Sequence, residues 1–467
     1  MTDFNSPDYK RSRNAYVAQC TVEYFVSLLV TDAFLAKLLT SMGISDAMIG
    51  IISSFITIAF VFQLMSVFLL RLKMSTKRLV ILFDTLSIFF FMFLYFIPFL
   101  TPHRILRTVL VMLSVFCAYL GKYFNYSICF KWANSYVDPT KRARFSANKE
   151  MISLFTGMFF TMAVGYIIDK FEALGNIEGG FLFLGIGILI LNICNFTCLA
   201  MIKSDKEEDR IGDRQPLKIV AKNTLGNKNF RNVIILGVIT SVASHFTTGF
   251  LGVFKTKDLM MSIFTVQIVN IVANFARILV SKPIAKYSDK FSYAKGMELG
   301  FILCATSFVM IMFTTKTTWY FIIIYQILHN CSVAGTNQNS YNIAYSYVDK
   351  EYITQAMAIK NCITGICGFV STIAGARILS AIQANENMLF GIPVYAQQVL
   401  AGITVAIYIV AIIYSRKVVV KQIVMIQLVS YYVFDRACKD CGGIGFDHIK
   451  SIFRERGNKR KKARRNF

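Results

Sequence analysis

Long apolar stretches alternate with short polar connections along nearly the whole chain. Twelve of these stretches, which we number spans 1 to 12, have the length of about 20 residues that an α-helix needs to cross the hydrocarbon core of a bilayer. Their predicted positions are 15–37, 47–70, 79–100, 106–130, 150–168, 180–202, 232–254, 259–281, 296–314, 318–341, 358–380 and 394–414. The pattern predicts an all-α integral membrane protein with twelve transmembrane helices.

One segment recurs in the second half of the chain. "SYVDPTKRARF" begins at Ser135, and "SYVDKEYITQA" begins at Ser346, 211 residues later. Aligned at this offset, residues 135–168 and 346–379 share 11 identities in 34 positions, including Lys149 with Lys360, where about 2 to 3 are expected by chance. Six spans separate equivalent positions, so both copies cross the membrane in the same direction. The sequence therefore predicts two pseudo-symmetric six-helix halves.

The polar segments outside the spans complete the predicted domain organisation. Residues 1–202 form the N-terminal six-helix bundle, 203–230 a charged linker, 231–420 the C-terminal bundle and 421–467 a basic tail. Cys438 and Cys441 in the tail, with His448 nearby, form a single CxxC pair without a second one, which is a weak signal, and we predict no metal site.

Composition and charge agree with a membrane protein. The chain is 55% hydrophobic and 16% charged, which excludes an ordinary soluble domain. About 40 of the 50 Lys and Arg residues lie in the N-terminus, in the connections that follow even-numbered spans and in the C-terminal tail. We call these segments together the basic face. The positive-inside rule makes the basic face cytoplasmic, with both termini there and the plasma membrane as the expected location. The net charge of +24 thus reflects topology and does not indicate nucleic-acid binding.

The loop after span 8 carries a further signal. "AKYSDKFSYAK" places Ala285, Asp289, Lys290 and Lys295 in the order small, acidic, basic, basic. With the two six-helix halves and the charged middle segment, this loop resembles that of the major facilitator superfamily, over nearly the whole chain up to about residue 420. The resemblance implies transport by alternating access. It also implies a cytoplasmic gate at which Asp289 and Lys290 act together with Arg142 and Arg144 of "DPTKRARF".

One loop and one span depart from the superfamily's usual pattern. The loop after span 2, "RLKMSTKRLV", lacks the Gly and Asp that the superfamily usually shows there, so the gate is not expected to be symmetric. Span 5, "SLFTGMFFTMAVGYII", lacks the Gly-Pro motif typical of drug/proton antiporters, which disfavours multidrug efflux.

Polar side chains inside the spans are the candidate functional residues, because such groups are costly in lipid and usually face a partner or a water-filled cavity. In span 1, Gln19 and Glu23 lie one turn apart on one stripe. Glu23 exchanges a proton, contacts a cationic group of the solute, or pairs permanently with a base; Lys122 in span 4, one turn from Tyr126, is the candidate partner. Asp32 is expected to be a solvated acid at the rim, and Asp84 to pair near the loops.

The second half supplies a larger polar set. His245 in span 7 either titrates or is a neutral, hydrogen-bonded side chain. Gln326, Asn330, Asn337 and Ser340 share one face of span 10, which we expect to contact solute. The residues expected to bind solute are Gln19, Glu23, Lys122, Tyr126, His245, Gln267, Asn270, Asn274, Gln326, Asn330 and Asn337.

These features predict a secondary transporter for a small polar organic solute, with Glu23 and His245 as candidate proton-coupling groups. The expected partners are the solute, a proton or other coupling ion, and the lipid bilayer. No phosphate-binding loop, hydrolase motif or metalloprotease motif occurs, so no cofactor and no enzyme activity are predicted. Efflux of drugs or metabolites by the same fold, and a membrane sensor built on a transporter body, remain as alternatives.

Overall fold

The computed structural model describes residues 6–69, 75–137, 142–203, 225–345, 347–348, 353–389 and 391–420. Most of the predicted linker and all of the predicted tail, with Cys438, Cys441 and His448, lie outside these residues. Within them, each of the twelve predicted spans coincides with one helix or with consecutive helical segments.

Two spans in the first half are broken and four are single helices. Span 1 comprises α1 (Pro7–Leu29) and α2 (Asp32–Ser41), span 2 comprises α3 (Asp46–Ser53) and α4 (Phe55–Leu69), and spans 3 to 6 are α5 (Thr76–Leu100), α6 (Arg104–Ser135), α7 (Arg142–Ala173) and α8 (Ile177–Met201). Asp32 at the break in span 1 has a φ angle of 47°, a left-handed conformation that Asp tolerates better than most residues.

The second half repeats this order. Span 7 is α9 (Lys228–His245) followed by a short 3-10 segment (Thr248–Phe250), α10 (Leu251–Val253) and a π segment (Phe254–Asp258). Spans 8 to 12 are α11 (Ile263–Lys290), α12 (Tyr293–Met312), α13 (Phe321–Tyr345), α14 (Ile353–Ala384) and α15 (Ala396–Tyr414); a π segment (Ser415–Val420) follows α15. A two-stranded antiparallel hairpin, β1 (Met388–Leu389) and β2 (Ile392–Pro393), joins spans 11 and 12.

The internal repeat is visible in the helix bounds. Helices α7 and α14 are both 32 residues long, and both of their ends are 211 residues apart. The predicted fold class, an all-α membrane protein of two six-helix halves, is confirmed. Ten helical segments of the described chain are long and apolar enough to cross a membrane by length and composition. The other two spans are span 1, which is broken, and span 10, which is rich in amides.

Each half has its own apolar core. Leu38, Leu39 and Tyr95 are among the fully buried side chains of the first half, and Phe254 and Phe308 are among those of the second. Large apolar side chains such as Phe159 of α7 and Leu279 of α11 remain exposed, as expected where a helix faces lipid. The halves pack against each other through span 2 with span 11 and span 5 with span 8.

Candidate functional site

The two halves are joined by ion pairs at the membrane face opposite the basic face. Lys255 Nζ lies 2.6 Å from Asp32 Oδ2, and Lys257 Nζ lies 2.8 Å from Asp46 Oδ2. Gln383 of span 11 also donates to Asp46, at 2.7 Å. We call these five residues the opposite-face latch. Asp32 is exposed, as expected for a rim acid, and its carboxylate also contacts Lys255, whose side chain is only 5% exposed.

The backbones also approach closely beside the latch. A Cβ atom added to Gly252 would lie 2.7 Å from the carbonyl oxygen of Asp32, a distance that real Cβ atoms essentially never show. The Asp169 carboxylate of span 5 accepts hydrogen bonds from the backbone N–H groups of Ile263 and Phe264, at 3.0 and 2.9 Å, and so caps the first turn of α11 across the seam. In this conformation the halves are closed at the opposite face.

The first half contains a compact cluster of acids and a base, which we call the acid–base cluster. Lys122 Nζ lies 2.8 Å from Glu23 Oε1. The Gln19 side-chain amide donates to Glu23 at 3.2 Å and to Asp84 at 3.1 Å, so one amide group joins two carboxylates. Asn195 donates to Asp84 at 2.9 Å. Three predicted binding residues, Gln19, Glu23 and Lys122, are thus brought together.

Asp84 was predicted wrongly as a loop-facing acid. It is only 6% exposed and receives hydrogen bonds from spans 1 and 6, because α5 begins at Thr76 and carries Asp84 two turns into the bundle. The Glu23 and Lys122 side chains are 26% and 22% exposed, so the ion pair itself is accessible. The accessible pair can therefore bind a proton or contact a charged solute group, and a proton on Glu23 would leave Lys122 without its counter-charge.

The second half contains a cavity of about 330 Å³, which we call the C-half cavity. Spans 7, 9, 10, 11 and 12 line it, and span 2 contributes Thr57 and Phe60 from the first half. It extends from His245, at the end of α9, towards Val233, near the start of α9 at the basic face. Its polar lining includes Thr57, Ser244, His245, Asn337, Ser340 and Lys360.

His245 lies where two cavities meet. It lines the C-half cavity and also a smaller cavity of about 190 Å³ that reaches Asp32 beneath the opposite-face latch. Its Nδ1 atom is buried and has no hydrogen-bond partner among the described residues. The neighbouring Ser241 donates to the carbonyl oxygen of Thr364 at 2.7 Å. His245 is therefore placed to hydrogen-bond a molecule that enters either cavity.

Lys360 of span 11 is a further polar group of the C-half cavity. Its residue is 9% exposed, and its ammonium group donates to Ser340 Oγ at 2.6 Å. It was not among the candidates read from the sequence, although the repeat alignment pairs it with Lys149. An identity between two lysines inside apolar helices, where a charge is costly, was the signal that could have identified it.

The amide-rich span 10 presents a different face to the cavity from the one expected. His329, Ser332, Asn337 and Ser340 line the C-half cavity, whereas Gln326 and Asn330 line neither of the two cavities. The Gln326 amide instead donates to Asn270 Oδ1 of span 8 at 2.9 Å, and Asn270 donates to Gln267 at 3.4 Å. The Asn330 side chain donates to the carbonyl oxygen of Gln326 at 3.0 Å. These amides link spans 8 and 10, and only Asn337 and Ser340 of the expected face reach the cavity.

The remaining predicted residues are dispersed. The Tyr126 residue is 50% exposed, and Asn274 lies half-buried on span 8. Asp289 and Lys290 are exposed at the end of α11, where the Lys290 ammonium lies 5.3 Å from the centre of the Phe291 ring. The side chains of Arg142 and Arg144 lie outside the described part of the chain, so the cytoplasmic gate stays a prediction.

Comparison with known protein families gives a match in the second half of the chain. Residues 233–422 match the Major Facilitator Superfamily as a sequence family. No curated protein sequence matches the chain significantly.

Solved structures of transporters share the fold over most of the chain. The nucleoside transporter NupG is 13% identical, with a TM-score of 0.65 over 88% of this chain and 98% of its own. The POT family transporter PepTSo is 11% identical, with a TM-score of 0.66 over 87% and 98%. The D-xylose-proton symporter is 12% identical, with a TM-score of 0.65 over 87% and 97%. The family match confirms the resemblance to the superfamily for residues 233–422, and the solved structures confirm the fold over most of the chain.

Proposed function

For a chain with the major facilitator fold, and with that superfamily's sequence in its second half, we propose transport of a small polar organic solute by alternating access. The observation that carries the proposal is the C-half cavity. It has polar walls, receives residues from both halves, and lies beneath a seam that the opposite-face latch closes. A transporter needs a solute site between two halves that part on one side at a time.

The sidedness of the proposal follows from charge. The basic face is placed in the cytoplasm because Lys and Arg concentrate there, and the plasma membrane is the proposed location. The opposite-face latch then lies on the outer side, and this conformation faces inward. Opening to the outside requires the ion pairs of Asp32 and Asp46 to separate, so the latch is the proposed outer gate.

Proton coupling is assigned to the acid–base cluster. Glu23 can accept a proton only if its contact with Lys122 weakens, since protonation removes the negative half of that ion pair. Protonation and the separation of spans 1 and 4 are therefore linked. His245 is the second candidate, because it lines both cavities and lies between the solute site and the latch.

Purified protein in vesicles that enclose a pH-sensitive dye tests the assignment. We expect at least one member of a panel of sugars, nucleosides, amino acids, peptides and organic anions to cause acidification inside. In Glu23→Gln the acidification should be lost, while exchange of labelled solute for unlabelled solute continues. Glu178→Gln is the matched control, because Glu178 is an exposed carboxylate at the start of α8, outside the acid–base cluster.

Two results would contradict the proposal at different levels. Acidification that is unchanged in Glu23→Gln rejects Glu23 as the coupling group and leaves transport intact. Failure of the wild-type protein to exchange any member of the panel rejects transport and favours the sensor alternative.

A further inference from the structure

The charge of the C-half cavity is one-sided. Lys360 supplies an ammonium group, and none of the described residues that line the cavity is Asp or Glu. The ion pairs found in the described chain all lie elsewhere, in the acid–base cluster, the latch, the helix ends and the contact of Arg277 with Glu150. The cavity wall is therefore positive.

One hydroxyl group does not compensate this ammonium. An ammonium carries three N–H donors, and Ser340 Oγ accepts one of them. A buried ion is strongly disfavoured unless an opposite charge or several hydrogen bonds offset its lost hydration. A lysine with one neutral partner is thus incomplete as a structural element, whereas the Glu23–Lys122 pair of the other half is complete.

The geometry points to a solute that carries an anionic group, a carboxylate or a phosphate, held by Lys360 and Ser340 in the C-half cavity. This inference deepens the proposed transport function and rests on it. The volume of about 330 Å³ is at the lower end of the range for small-molecule sites. A small organic acid or a phosphorylated metabolite would fit the cavity.

The rest of the cavity suits the neutral part of such a molecule. His245 and Ser244 offer hydrogen-bonding groups away from Lys360, and Phe60 and Tyr408 supply aromatic walls. Lys360 begins the third turn of α14, near the basic face, so the anionic group would be the end of the solute nearest that face.

The repeat provides an internal control for this assignment. Lys149, the equivalent lysine of span 5, lies 4.9 Å from the centre of the Tyr16 ring and contacts Cys20 Sγ at 3.5 Å. It lines neither of the two cavities. Two lysines at the same repeat position therefore have different surroundings, and only Lys360 faces a cavity.

The test measures the thermal unfolding midpoint of full-length protein in detergent with matched solute pairs. The pairs are glucose 6-phosphate and glucuronate against glucose, uridine monophosphate against uridine, and nicotinate against nicotinamide, with inorganic phosphate and acetate alone as further probes. We expect an anionic member to raise the midpoint by several degrees and its neutral counterpart to have no effect. Lys360→Met should remove the response, and Lys149→Met should keep it.

A second measurement needs no solute. Without added anions, Lys360→Met should leave the midpoint unchanged or raise it, because the substitution removes an uncompensated charge. A clear fall in the midpoint would show that Lys360 is a structural residue and would overturn the proposal. In Ser340→Ala, about tenfold more anion should be needed for the same rise in the midpoint, because one hydrogen bond to the site is lost. The protein should remain folded.

The outcomes separate this proposal from transport in general. If a neutral solute is exchanged in vesicles and Lys360→Met exchanges it normally, the anion assignment fails while transport stands. If wild-type protein exchanges nothing, transport fails, and the comparison of midpoints without solute still decides the role of Lys360. A response to phosphates alone or to carboxylates alone identifies which anionic group is recognised.

Discussion

The polar centres of the two halves each contain a lysine inside the spans, but they compensate its charge differently. In the first half, Lys122 is paired with Glu23, and Gln19 donates to both Glu23 and Asp84, so the base of the cluster has a carboxylate partner. In the second half, Lys360 lines a cavity, and its partner among the described residues is a hydroxyl group. A compensated cluster is stable without a ligand, whereas an uncompensated one gains most from binding one. The copies therefore differ in how they compensate a base inside the spans, and the proposed roles in coupling and recognition rest on this difference.

The repeat alignment shows a corresponding difference between the two halves in the sequence. At the offset of 211 residues Lys122 corresponds to Val333, so the buried base of span 4 is replaced by an apolar residue in span 10. The ion pair between Asp46, at the start of span 2, and Lys257, at the end of span 7, joins the halves through spans that the repeat does not relate.

The largest effect is expected from breaking the compensated cluster. Lys122→Met leaves Glu23 without its counter-charge and should lower the free energy of unfolding by about 3 kcal/mol, the lower end for a broken buried pair because the pair is partly accessible. The thermal midpoint of the purified protein measures this. The double variant Glu23→Gln with Lys122→Met should recover most of the loss. If Lys122→Met and Lys360→Met proved equally costly, the contrast between the halves would be wrong.

A change beside the latch tests whether the C-half cavity is sealed from the opposite face. Gly252→Leu introduces a side chain where even a Cβ atom would lie 2.7 Å from the Asp32 carbonyl oxygen, so the closed state should lose population by about tenfold, or about 1.4 kcal/mol. Spin labels at Glu178→Cys and Thr317→Cys, with the native cysteines replaced, would report the separation of the halves.

Gly226→Leu is the matched control for that experiment, because a Cβ atom there would meet no other atom within 4 Å. It should leave the label distance unchanged. A Gly252→Leu protein with the wild-type distance would show that the close approach at the latch does not hold the halves together.

Periodicity and the repeat were enough to predict the architecture. Apolar runs of the length of a bilayer fix the spans, and the repeated segment fixed the bounds of α7 and α14 relative to each other. The pair of Glu23 with Lys122 was predictable too, because an acid and a base in the middle of spans have few other ways to be tolerated.

Whether a polar helix face meets solute or another helix was harder to predict. Helical spacing groups Gln326 and Asn330 on one face, but it does not say whether that face meets solute or a neighbouring helix. In the folded protein, Asn270 of span 8 accepts a hydrogen bond from Gln326 and donates one to Gln267, so this face packs against a neighbouring helix. Lys360 was missed for a related reason, since nothing local to span 11 shows that a cavity lies beside it.

The prediction with the smallest expected effect distinguishes a polar face that packs against a helix from one that lines the cavity. Gln326→Leu removes a hydrogen bond to Asn270 and should cost about 1 kcal/mol of stability, the ordinary value for one buried hydrogen bond. It should leave solute binding intact, because Gln326 lines neither of the two cavities. Asn337→Ala, at the exposed wall of the C-half cavity, should do the reverse and weaken solute protection with little loss of stability. Midpoints with and without solute measure both quantities in one experiment. If Gln326→Leu abolished solute protection instead, the solute would contact the amide face between spans 8 and 10, and recognition would not be centred on Lys360.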